Sequence, residues 1–442
     1  MRILHYYLGP APLRSGGLTK YVEDLMEAEE RNGDTCLQLY PLKLTSNKRM
    51  HISKTHDSNV YQLVNAYPLP LTGGIKDPED FFGGRVDVSG MRQFLKRVAV
   101  DIIHVHTLMG LPIEFLQLTK QLGLKTVYTT HDYFGLSPVP DFFDTQQGYS
   151  FAYEQADSQL AFWQQIGSQS SSTIKLRIFQ LPMYVQIKKI AHFISQFKPH
   201  MQADNDDKLV AKTEGVTIDI RFRKLFDHYR AMFRLIDVFH FNSQVSQNVF
   251  LQNMPELKDK KHIVIPITNS NIREQNFEHS KKLTESRNIR IGYLGRFTPA
   301  KGVYQLVEVF KNSSNPIAEL HLFGDASRQN FNVKNVYNEG AYGSGELTNI
   351  LDNLDIVVVP SIWEETFGFV PIECVTNGVP VLLSRHVGAE MLFTDDYQGK
   401  YSTQDELLKK LNVLDWNFIK HLRETMAIQI PKLLDVQQAY RL

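Results

Sequence analysis

The most informative segment of this sequence is residues 356–373, which read IVVVPSIWEETFGFVPIE. Its first four residues are apolar and β-branched, which is typical of a short buried strand. The loop that follows carries Glu365 and ends at Phe367 and Gly368, and Glu373 lies in the helical pattern beyond it. Free backbone NH groups at the start of a helix bind phosphate or sugar hydroxyl groups, so this strand–loop–helix unit predicts a ligand site.

On both sides of this segment, short apolar runs alternate with helical patterns, which is typical of a parallel sheet buried on both faces. The second half of the chain contains strand candidates at 289–294, 319–323, 335–337, 356–359 and 379–383. The first half contains a helix candidate at 19–32 and strand candidates at 3–8, 101–106, 125–130, 237–243 and 262–267. The sequence therefore predicts an α/β fold with two Rossmann-like domains that face each other across a deep cleft.

The domain boundaries follow from the same alternation of strand and helix candidates. We expect an N-terminal domain at 1–267 with a helical insert at about 140–234, a linker at 268–287, and a C-terminal domain at 288–405. Residues 406–442 show further helical patterns, which we expect to pack back on the N-terminal domain.

Composition and charge exclude several classes of protein. The chain has 442 residues with 48 Lys and Arg against 48 Asp and Glu, so no overall charge favours a nucleic-acid partner. Cys36 and Cys374 are the only cysteines, which gives no disulfide framework and no zinc site. No apolar run reaches 18 residues, and the apolar start of the chain is too short for a signal peptide. We therefore expect a cytoplasmic protein that could lie at the inner face of the cytoplasmic membrane.

Glu365 and Glu373 are separated by seven residues, and Glu365 stands in the context Glu-Thr-Phe-Gly after a strand. This segment resembles the signature of retaining glycosyltransferase family 4, and the resemblance covers most of 1–30, 101–135 and 237–400. It implies the GT-B fold, a nucleotide-diphosphate sugar as donor, and retention at the anomeric carbon. We expect the donor to be a UDP-sugar and the reaction to need neither a metal ion nor a cofactor.

The resemblance also implies roles for the residues of this segment. Glu365 would contact hydroxyl groups of the donor sugar, together with the NH groups near Phe367 and Gly368. Glu373 would bind the ribose, because one carboxylate accepts two hydrogen bonds from a vicinal diol. On spacing alone, two solvated charges on a helix face would be the more common explanation. The Glu-Thr-Phe-Gly context is what favours the site.

A second group of residues lies in the segment 294–302, LGRFTPAKG, which follows the first strand of the C-terminal domain. By the same resemblance, Arg296 and Lys301 hold the diphosphate. Breaking the bond between sugar and phosphate leaves extra negative charge on the nucleoside diphosphate, and two fixed cations stabilise that charge as it develops. Without the neighbouring segment, two solvated basic side chains in a loop would be an equally common explanation.

The N-terminal domain contributes weaker signals. Gly16 and Gly17 open the first helix, where a backbone without side chains can approach a phosphate or the acceptor closely. His131 follows a strand of this domain, and the resemblance implies that it reaches the donor sugar across the cleft. His104 and His106 are interpreted as structural strand residues near the cleft wall.

Two further positions correspond to those at which the family binds the nucleotide base. They are Gly324, with Asp325 beside it, and Tyr342, which follows the strand candidate 335–337. We expect backbone contacts with the base at both positions. The acidic run Asp204–Asp207 is interpreted as a solvated charge cluster and not as a metal site.

The insert leaves two alternatives open. Residues 175–198 interleave basic side chains with aromatic and aliphatic ones. Such a stretch could lie on anionic lipid at the inner membrane surface. It could also form an extra helical hairpin that covers the first domain, and the aromatic stripe favours this second alternative.

These features together predict a hexosyltransferase-type enzyme that moves a sugar to a saccharide or lipid-linked acceptor. The resemblance implies a place in cell-surface polysaccharide or glycolipid synthesis. No carboxylate stands out as a nucleophile, so we expect front-face substitution, in which the departing phosphate oxygen takes the proton of the acceptor. Two alternatives remain, namely a sugar-nucleotide epimerase with the GT-B fold and a non-catalytic GT-B partner subunit of another transferase.

Overall fold

Two largely parallel β-sheets, with helices packed against them, form the two halves of the protein. The computed structural model describes residues 1–14, 16–71, 74–144, 149–150, 156–170, 172–180, 218–272, 287–324 and 329–442. The prediction of an α/β fold with two parallel-sheet domains is confirmed.

The N-terminal sheet contains eight strands. They are β1 (Arg2–Tyr6), β2 (Thr35–Pro41), β3 (His51–Lys54), β4 (Val60–Val64), β5 (Ile102–Val105), β6 (Lys125–Thr129), β9 (Val238–Phe241) and β10 (Lys261–Val264). Their order is β10-β9-β6-β5-β1-β2-β4-β3, and only the pair β3 and β4 is antiparallel. A separate short ribbon pairs β7 (Phe143–Asp144) with β8 (Tyr149–Ser150). The strands from β2 to β4 were not predicted, because they mix polar and apolar residues and lie at the edge of the sheet.

Seven helices belong to the described part of the N-terminal half. They are α1 (Gly17–Arg31), α2 (Val88–Val98), α3 (Ile113–Gln121), α4 (Ala156–Gln169), α5 (Thr173–Gln180), α6 (Ile220–Leu235) and α7 (Gln244–Asn253). Helix α1 begins after Gly16, whose φ of 116° favours glycine. Helix α7 begins after Ser243, whose hydroxyl accepts a hydrogen bond from the backbone NH of Ser246. Both starts follow a parallel strand, which places them at the carboxyl edge of the sheet.

The described helices of the insert pack onto the N-terminal domain. Phe222, Leu225 and Tyr229 of α6 are buried, and the Tyr229 ring lies 6.0 Å from the buried indole of Trp163 in α4. Within α5, the Arg177 guanidinium donates to the carbonyl of Ala66 in the body of the domain. These helices therefore cover the first sheet. The basic and aromatic residues at 181–198 and the acidic run at 204–207 lie outside the described residues.

The C-terminal sheet is entirely parallel. Its strands are β11 (Ile289–Leu294), β12 (Ala318–Phe323), β13 (Val336–Gly340), β14 (Ile356–Val359), β15 (Val381–Ser384) and β16 (Lys400–Tyr401), in the order β13-β12-β11-β14-β15-β16. The helices are α8 (Val303–Lys311), α9 (Leu347–Asp352), α10 (Val370–Thr376), α11 (Gln404–Asn412), α12 (Trp416–Thr425) and α13 (Gln437–Arg441). The sequence predicted five of these six strands, and β16 was missed because it has only two residues.

The last 37 residues divide between the two domains. Helix α11 stays with the C-terminal domain, where Asn412 accepts a hydrogen bond of 2.9 Å from the backbone NH of Ser314. Helix α13 lies on the N-terminal sheet, where the Tyr440 hydroxyl is 2.7 Å from His104 and 2.8 Å from Glu29. The expectation that the whole of 406–442 packs back is therefore wrong for its first half. In the part of the chain that the structure describes, we find no helix with the length and apolar character needed to cross a membrane.

Candidate functional site

The segment 360–369, called the Glu365 loop below, follows β14 and lies between the two domains. The Glu365 carboxylate is buried and has two partners in its own domain. One oxygen pairs with the ammonium of Lys301, and the other accepts a hydrogen bond of 2.7 Å from the hydroxyl of Ser361. The strand, the loop and the loop before α8 therefore fix this carboxylate in one orientation.

Close packing of two loops brings Lys301 and Glu365 together. Gly302 has a φ of 72°, and a Cβ at this position would lie 1.9 Å from the carbonyl oxygen of Pro360. Only glycine fits here without moving the backbone. The two loops line a cavity of about 70 Å³, together with Gly295, Ser361 and Gly368 among others.

Gly368 lets the chain turn over the carboxylate. Its φ is 84°, and a Cβ there would lie 3.1 Å from the carboxyl group of Glu365. The neighbouring Phe367 points the other way, and its ring is buried in the core. Of the two residues, Gly368 therefore lies at the cavity, whereas Phe367 anchors the loop to the domain.

Arg296 lies outside this cavity with an exposed side chain. Its positive charge still reaches the site, because the charges of Arg296 and Lys301 both act on Asp141 of the N-terminal domain. Burial raises the pKa of Asp141, and these two cations oppose that rise. The Lys301 ammonium also lies 5.5 Å from the centre of the Trp363 ring. The two predicted cations therefore lie on one side of the cleft, with one enclosed and one open to solvent.

Glu373 and Tyr342 form a second group beside the first. Glu373 lies in the first turn of α10, and burial raises the pKa of its carboxyl group. Burial also raises the pKa of Tyr342 to about 12, and the nearby negative charge of Glu373 adds to this effect. At the adjacent strand ends, a Cβ on Gly324 would lie 2.0 Å from the carbonyl oxygen of Gly295. Asp325 lies outside the described residues.

The glycine pair of the N-terminal domain faces the Glu365 loop. A Cβ on Gly17 would lie 3.1 Å from the ring of Phe369, which ends that loop. Gly16 has open space around it. The structure therefore brings the start of α1 opposite the start of α10, with the cleft between them.

Direct hydrogen bonds join the Glu365 loop to the N-terminal domain. The Thr366 hydroxyl donates to the carbonyl of His131 at 2.9 Å, and the Tyr133 hydroxyl donates to the carbonyl of Glu364 at 2.7 Å. Ser243 donates to the carbonyl of Thr366. The first of these bonds holds the backbone of His131 against Thr366, which is the residue next to Glu365. Desolvation lowers the pKa of His131 to about 3, with a smaller effect from His240.

Several polar groups at the cleft were not recognised in the sequence. Desolvation raises the pKa of Asp132 to about 7, although this carboxylate accepts a hydrogen bond of 3.0 Å from the backbone NH of Phe134. Asp141 and Ser361 also escaped notice. Asp132 could have been found from its place directly after a parallel strand. Asp141 could not, because its proximity to Arg296 depends on how the two domains meet.

The structure thus divides the predicted residues into groups. Lys301, Glu365 and Gly368 share one cavity, with Tyr342 and Glu373 beside it. Arg296 and Gly324 lie at the neighbouring strand ends, and Gly16, Gly17 and His131 belong to the opposite wall. His104 and His106 are completely buried in the N-terminal sheet.

Comparisons with known proteins agree with this arrangement. Residues 274–412 match the family described as "Glycosyl transferases group 1", and this segment contains Arg296, Lys301, Glu365 and Glu373. An "uncharacterized 41.2 kDa protein in cps region" of Klebsiella pneumoniae is 26% identical over 158 residues. That match covers 34% of this chain and 44% of the relative, so more than half of the relative is unmatched.

Solved structures with similar folds cover nearly the whole chain. HepE of Anabaena in complex with UDP and glucose is 16% identical, with a TM-score of 0.52 over 100% of this chain and 95% of that one. The catalytic domain of starch synthase IV from Arabidopsis thaliana, bound to ADP and acarbose, is 14% identical, with a TM-score of 0.53 over 99% and 98%. Sucrose-phosphate synthase from Thermosynechococcus elongatus is 15% identical, with a TM-score of 0.51 over 100% and 98%. At these identities the likeness shows the fold. Residues 274–412 therefore match a glycosyltransferase family model, and the chain as a whole has the GT-B fold.

Proposed function

We propose that this protein is a retaining glycosyltransferase that moves a sugar from a nucleotide-diphosphate sugar to a saccharide or lipid-linked acceptor. The observation that carries the proposal is the Lys301–Glu365 pair in one small cavity at the carboxyl edge of the second sheet. A cation and a carboxylate side by side match the two ends of an activated sugar, which are its diphosphate and its hydroxyl groups.

Lys301 and Arg296 supply positive charge for the leaving group. When the bond between the anomeric carbon and the phosphate oxygen breaks, negative charge grows on that oxygen. Lys301 lies inside the cleft beside Glu365, and Arg296 has no ion pair among the described residues, so we place both cations at the diphosphate. Stabilisation of this kind contributes about 3–4 kcal/mol for one well-placed donor in other enzymes. In this proposal the reaction needs no metal ion.

Glu365 and Glu373 bind hydroxyl groups of the donor. Lys301 and Ser361 each occupy one oxygen of Glu365, and each oxygen keeps a further lone pair for a sugar hydroxyl. Glu373 lies beside Tyr342, and a carboxylate at that point suits the two hydroxyls of a ribose. We propose uridine as the base. Similar folds have been solved with UDP and with ADP, so the base needs a test of its own.

Retention follows from front-face substitution in this proposal. The acceptor oxygen forms its bond to the anomeric carbon on the face from which the diphosphate leaves. The bond from carbon to phosphate oxygen breaks, and that oxygen takes the acceptor proton. Asp132 and Asp141 are carboxylates of the opposite wall, but neither lines the cavity of Lys301 and Glu365. A β-linked product from an α-linked donor would contradict this mechanism and leave the fold intact.

We place the reaction in cell-surface polysaccharide or glycolipid synthesis at the inner face of the cytoplasmic membrane. The relative from a cps region supports this assignment. So does the similar fold of the lipopolysaccharide outer core galactosyltransferase WaaB, which is 11% identical with a TM-score of 0.51. Membrane contact through residues 175–198 belongs to the same proposal. Sedimentation with vesicles that contain anionic lipid tests it, and absence of binding would contradict it.

The test of the activity uses two variants that differ by one position. Glu365→Gln removes a charge from the cavity, whereas Glu364→Gln changes a neighbour whose carboxylate pairs with His386 outside that cavity. Release of nucleoside diphosphate from a panel of nucleotide sugars is measured for both. We expect Glu365→Gln to lose about 100-fold in rate and Glu364→Gln to stay within about threefold. Release of an epimerised sugar, or no reaction with any donor, would favour an epimerase or a non-catalytic subunit.

The base is identified by thermal denaturation in the presence of nucleoside diphosphates. A ligand at 100 times its Kd stabilises the folded protein by about 2.7 kcal/mol, so the preferred base gives the largest rise in Tm. We expect UDP to give that rise.

A further inference from the structure

A row of buried polar side chains crosses the N-terminal sheet behind His131. We call it the histidine row. Its members, in hydrogen-bonded order, are His131, His106, His5, Glu29, Tyr440, His104, Thr129 and His240, and it ends at the carbonyl of Ile265. It links four neighbouring strands to α1 and α13, and nothing in the proposed reaction so far uses it.

The arm from Glu29 to the cleft consists of three histidines. Nε2 of His5 is 2.9 Å from one oxygen of Glu29, and Nδ1 of His5 is 3.1 Å from Nε2 of His106. Nδ1 of His106 is 3.2 Å from Nε2 of His131. No described residue forms a hydrogen bond with Nδ1 of His131. That nitrogen is the free end of the row.

The second arm runs away from the cleft. The Tyr440 hydroxyl is 2.8 Å from the other oxygen of Glu29 and 2.7 Å from Nδ1 of His104. The Thr129 hydroxyl is 2.7 Å from Nε2 of His104 and 2.9 Å from Nδ1 of His240. Nε2 of His240 is 2.8 Å from the carbonyl oxygen of Ile265.

The last contact fixes the direction of the hydrogen bonds as far as His104. A carbonyl oxygen only accepts, so His240 donates through Nε2 and, as a neutral imidazole, accepts at Nδ1 from the Thr129 hydroxyl. That hydroxyl oxygen in turn accepts from Nε2 of His104. At the other end of this arm, the Tyr440 hydroxyl donates to an oxygen of Glu29.

These directions are those of neutral imidazoles, and burial favours the neutral form of three of them. Burial lowers the pKa of His104 and His106 well below the usual range and lowers that of His240 to about 4.

The first arm then has a single direction as well. The second oxygen of Glu29 accepts, so His5 donates to it through Nε2 and, as a neutral imidazole, accepts at Nδ1 from His106. His106 in turn accepts at Nδ1 from Nε2 of His131. A neutral His131 then has a bare lone pair on Nδ1.

We propose that Glu29 is a positioning residue that holds His131, through His5 and His106, in the tautomer protonated on Nε2. Nδ1 of His131 then only accepts, which suits a hydroxyl group as its partner and excludes an ionised carboxylate or phosphate. The identity of that partner as a hydroxyl of the donor sugar rests on the proposed function. The tautomer itself does not.

The direct test is nuclear magnetic resonance of the full chain with ¹⁵N-labelled histidine. Long-range proton–nitrogen spectra distinguish the two neutral tautomers and the imidazolium, and His131→Ala identifies the signals of His131. We expect His131 to show a protonated Nε2 and a bare Nδ1. A proton on Nδ1, an imidazolium or a mixture of tautomers would overturn the proposal.

Metal analysis of the purified protein adds a second measurement. His5, His104 and His106 offer ligand atoms within 4.8 Å of one another, a spacing that a metal ion could use. A bound metal would take the lone pairs that the row needs. One equivalent of tightly bound zinc would overturn the proposal, and we expect none.

Two substitutions at Glu29 separate the hydrogen bond from the charge. Glu29→Gln has no charge, but its carbonyl oxygen still accepts from His5. Glu29→Leu has no acceptor. We expect the glutamine variant to keep the His131 tautomer and the donor KM within about twofold, and the leucine variant to mix tautomers and raise the KM about tenfold, as for one lost hydrogen bond. If glutamine acts like leucine, the acceptor oxygen at position 29 does not hold the tautomer and the proposal fails. If the leucine variant does not fold, the wild type and the glutamine variant still decide.

The hydroxyl partner is located with donor analogues in which fluorine replaces each sugar hydroxyl in turn. One position should weaken binding about tenfold in the wild type and have no effect in His131→Ala. Equal losses in both proteins would overturn the assignment of a hydroxyl to His131. If no nucleotide sugar binds but His131 has the expected tautomer, the proposed function fails, whereas the role of Glu29 in holding that tautomer is retained.

Discussion

The two walls of the cleft handle charge in opposite ways. On the C-terminal wall, Lys301 and Glu365 form an ion pair and Arg296 is open to solvent. On the N-terminal wall, burial lowers the pKa of His131 to about 3 and raises that of Asp132 to about 7, which favours the neutral form of each group. One wall therefore presents fixed charges, and the other presents hydrogen-bonding groups with little charge.

This difference assigns a different task to each wall. An ionic ligand such as a diphosphate needs cations that remain charged when water leaves the cleft, and Lys301 and Arg296 of the C-terminal wall offer such charges near the Glu365 loop. Neutral groups on the other wall can orient hydroxyls without repelling or trapping the leaving group. Substitutions at the cations of the C-terminal wall should therefore change the rate of reaction, whereas those on the N-terminal wall should change binding or stability.

The largest effect is expected from removing the enclosed cation. Lys301→Met keeps the length of the side chain but leaves the leaving diphosphate and Glu365 without their partner. We expect kcat to fall about 10²- to 10³-fold, because this interaction is strongest in the transition state. Steady-state kinetics with the donor identified by the thermal screen gives the value.

Lys311→Met is the matched control for this change. Lys311 lies in α8, is 57% exposed, and pairs with Glu308 on the same helix. We expect its kcat to stay within about twofold of the wild type, since exposed pairs of this kind contribute little. If the two lysine variants have similar rates, the charged wall does not act on the leaving group.

The close approach of the two loops gives the next largest effect. Gly302→Ala would force a Cβ to 1.9 Å from the carbonyl of Pro360, whereas Gly378 has a similar φ of 76° and open space around it. Both substitutions place alanine in a left-handed backbone conformation, which lowers the stability of the folded protein. Only Gly302→Ala must also move the Glu365 loop. We expect Gly302→Ala to lower the Tm by about 4–8 °C more than Gly378→Ala, which corresponds to about 2 kcal/mol. Equal Tm values would show that the loops adjust freely.

The sequence could reveal the C-terminal wall because its residues follow strands in a regular pattern. Lys301 and Glu365 are 64 residues apart, but each lies in a loop after a parallel strand, and such loops meet at one edge. The pairing within the histidine row is different in kind. His5 is opposite His104 only because β1 and β5 are neighbours in the sheet, and Tyr440 reaches His104 only through the last helix. Strand order and the path of the chain end are not written in local patterns, so this part of the site could not be predicted.

A smaller effect on binding is expected at the ribose position. Glu373→Gln removes a carboxylate that would bind the donor equally before and during reaction. We therefore expect the donor KM to rise about tenfold while kcat stays within about twofold. A fall in kcat with an unchanged KM would place Glu373 at the reacting end of the donor instead.

The pH dependence sharpens this test. Burial raises the pKa of Glu373, so its carboxylate gains a proton at a higher pH than an exposed glutamate does. In the wild type, donor affinity should weaken as the pH falls toward 5. Glu373→Gln should show a flatter profile, because an amide does not titrate. Identical profiles would remove Glu373 from the donor contact.

The smallest effect belongs to the neutral wall and appears in stability. The pKa of Asp132 is about 7 in the folded protein, above the usual value of 3.8, so folding favours the protonated form. The buried charge costs stability above pH 7, the cost shrinks as the pH falls from 7 toward 3.8, and it is absent below that. Asp132→Asn removes the charge but can still accept from the NH of Phe134. We expect its Tm to exceed that of the wild type by about 2–4 °C at pH 8, with a gap less than half as large at pH 5 and closed only below about pH 4. Asp57→Asn, at an exposed position, should show no such gap at either pH, and a gap of equal size there would mean that net charge and not burial sets the difference.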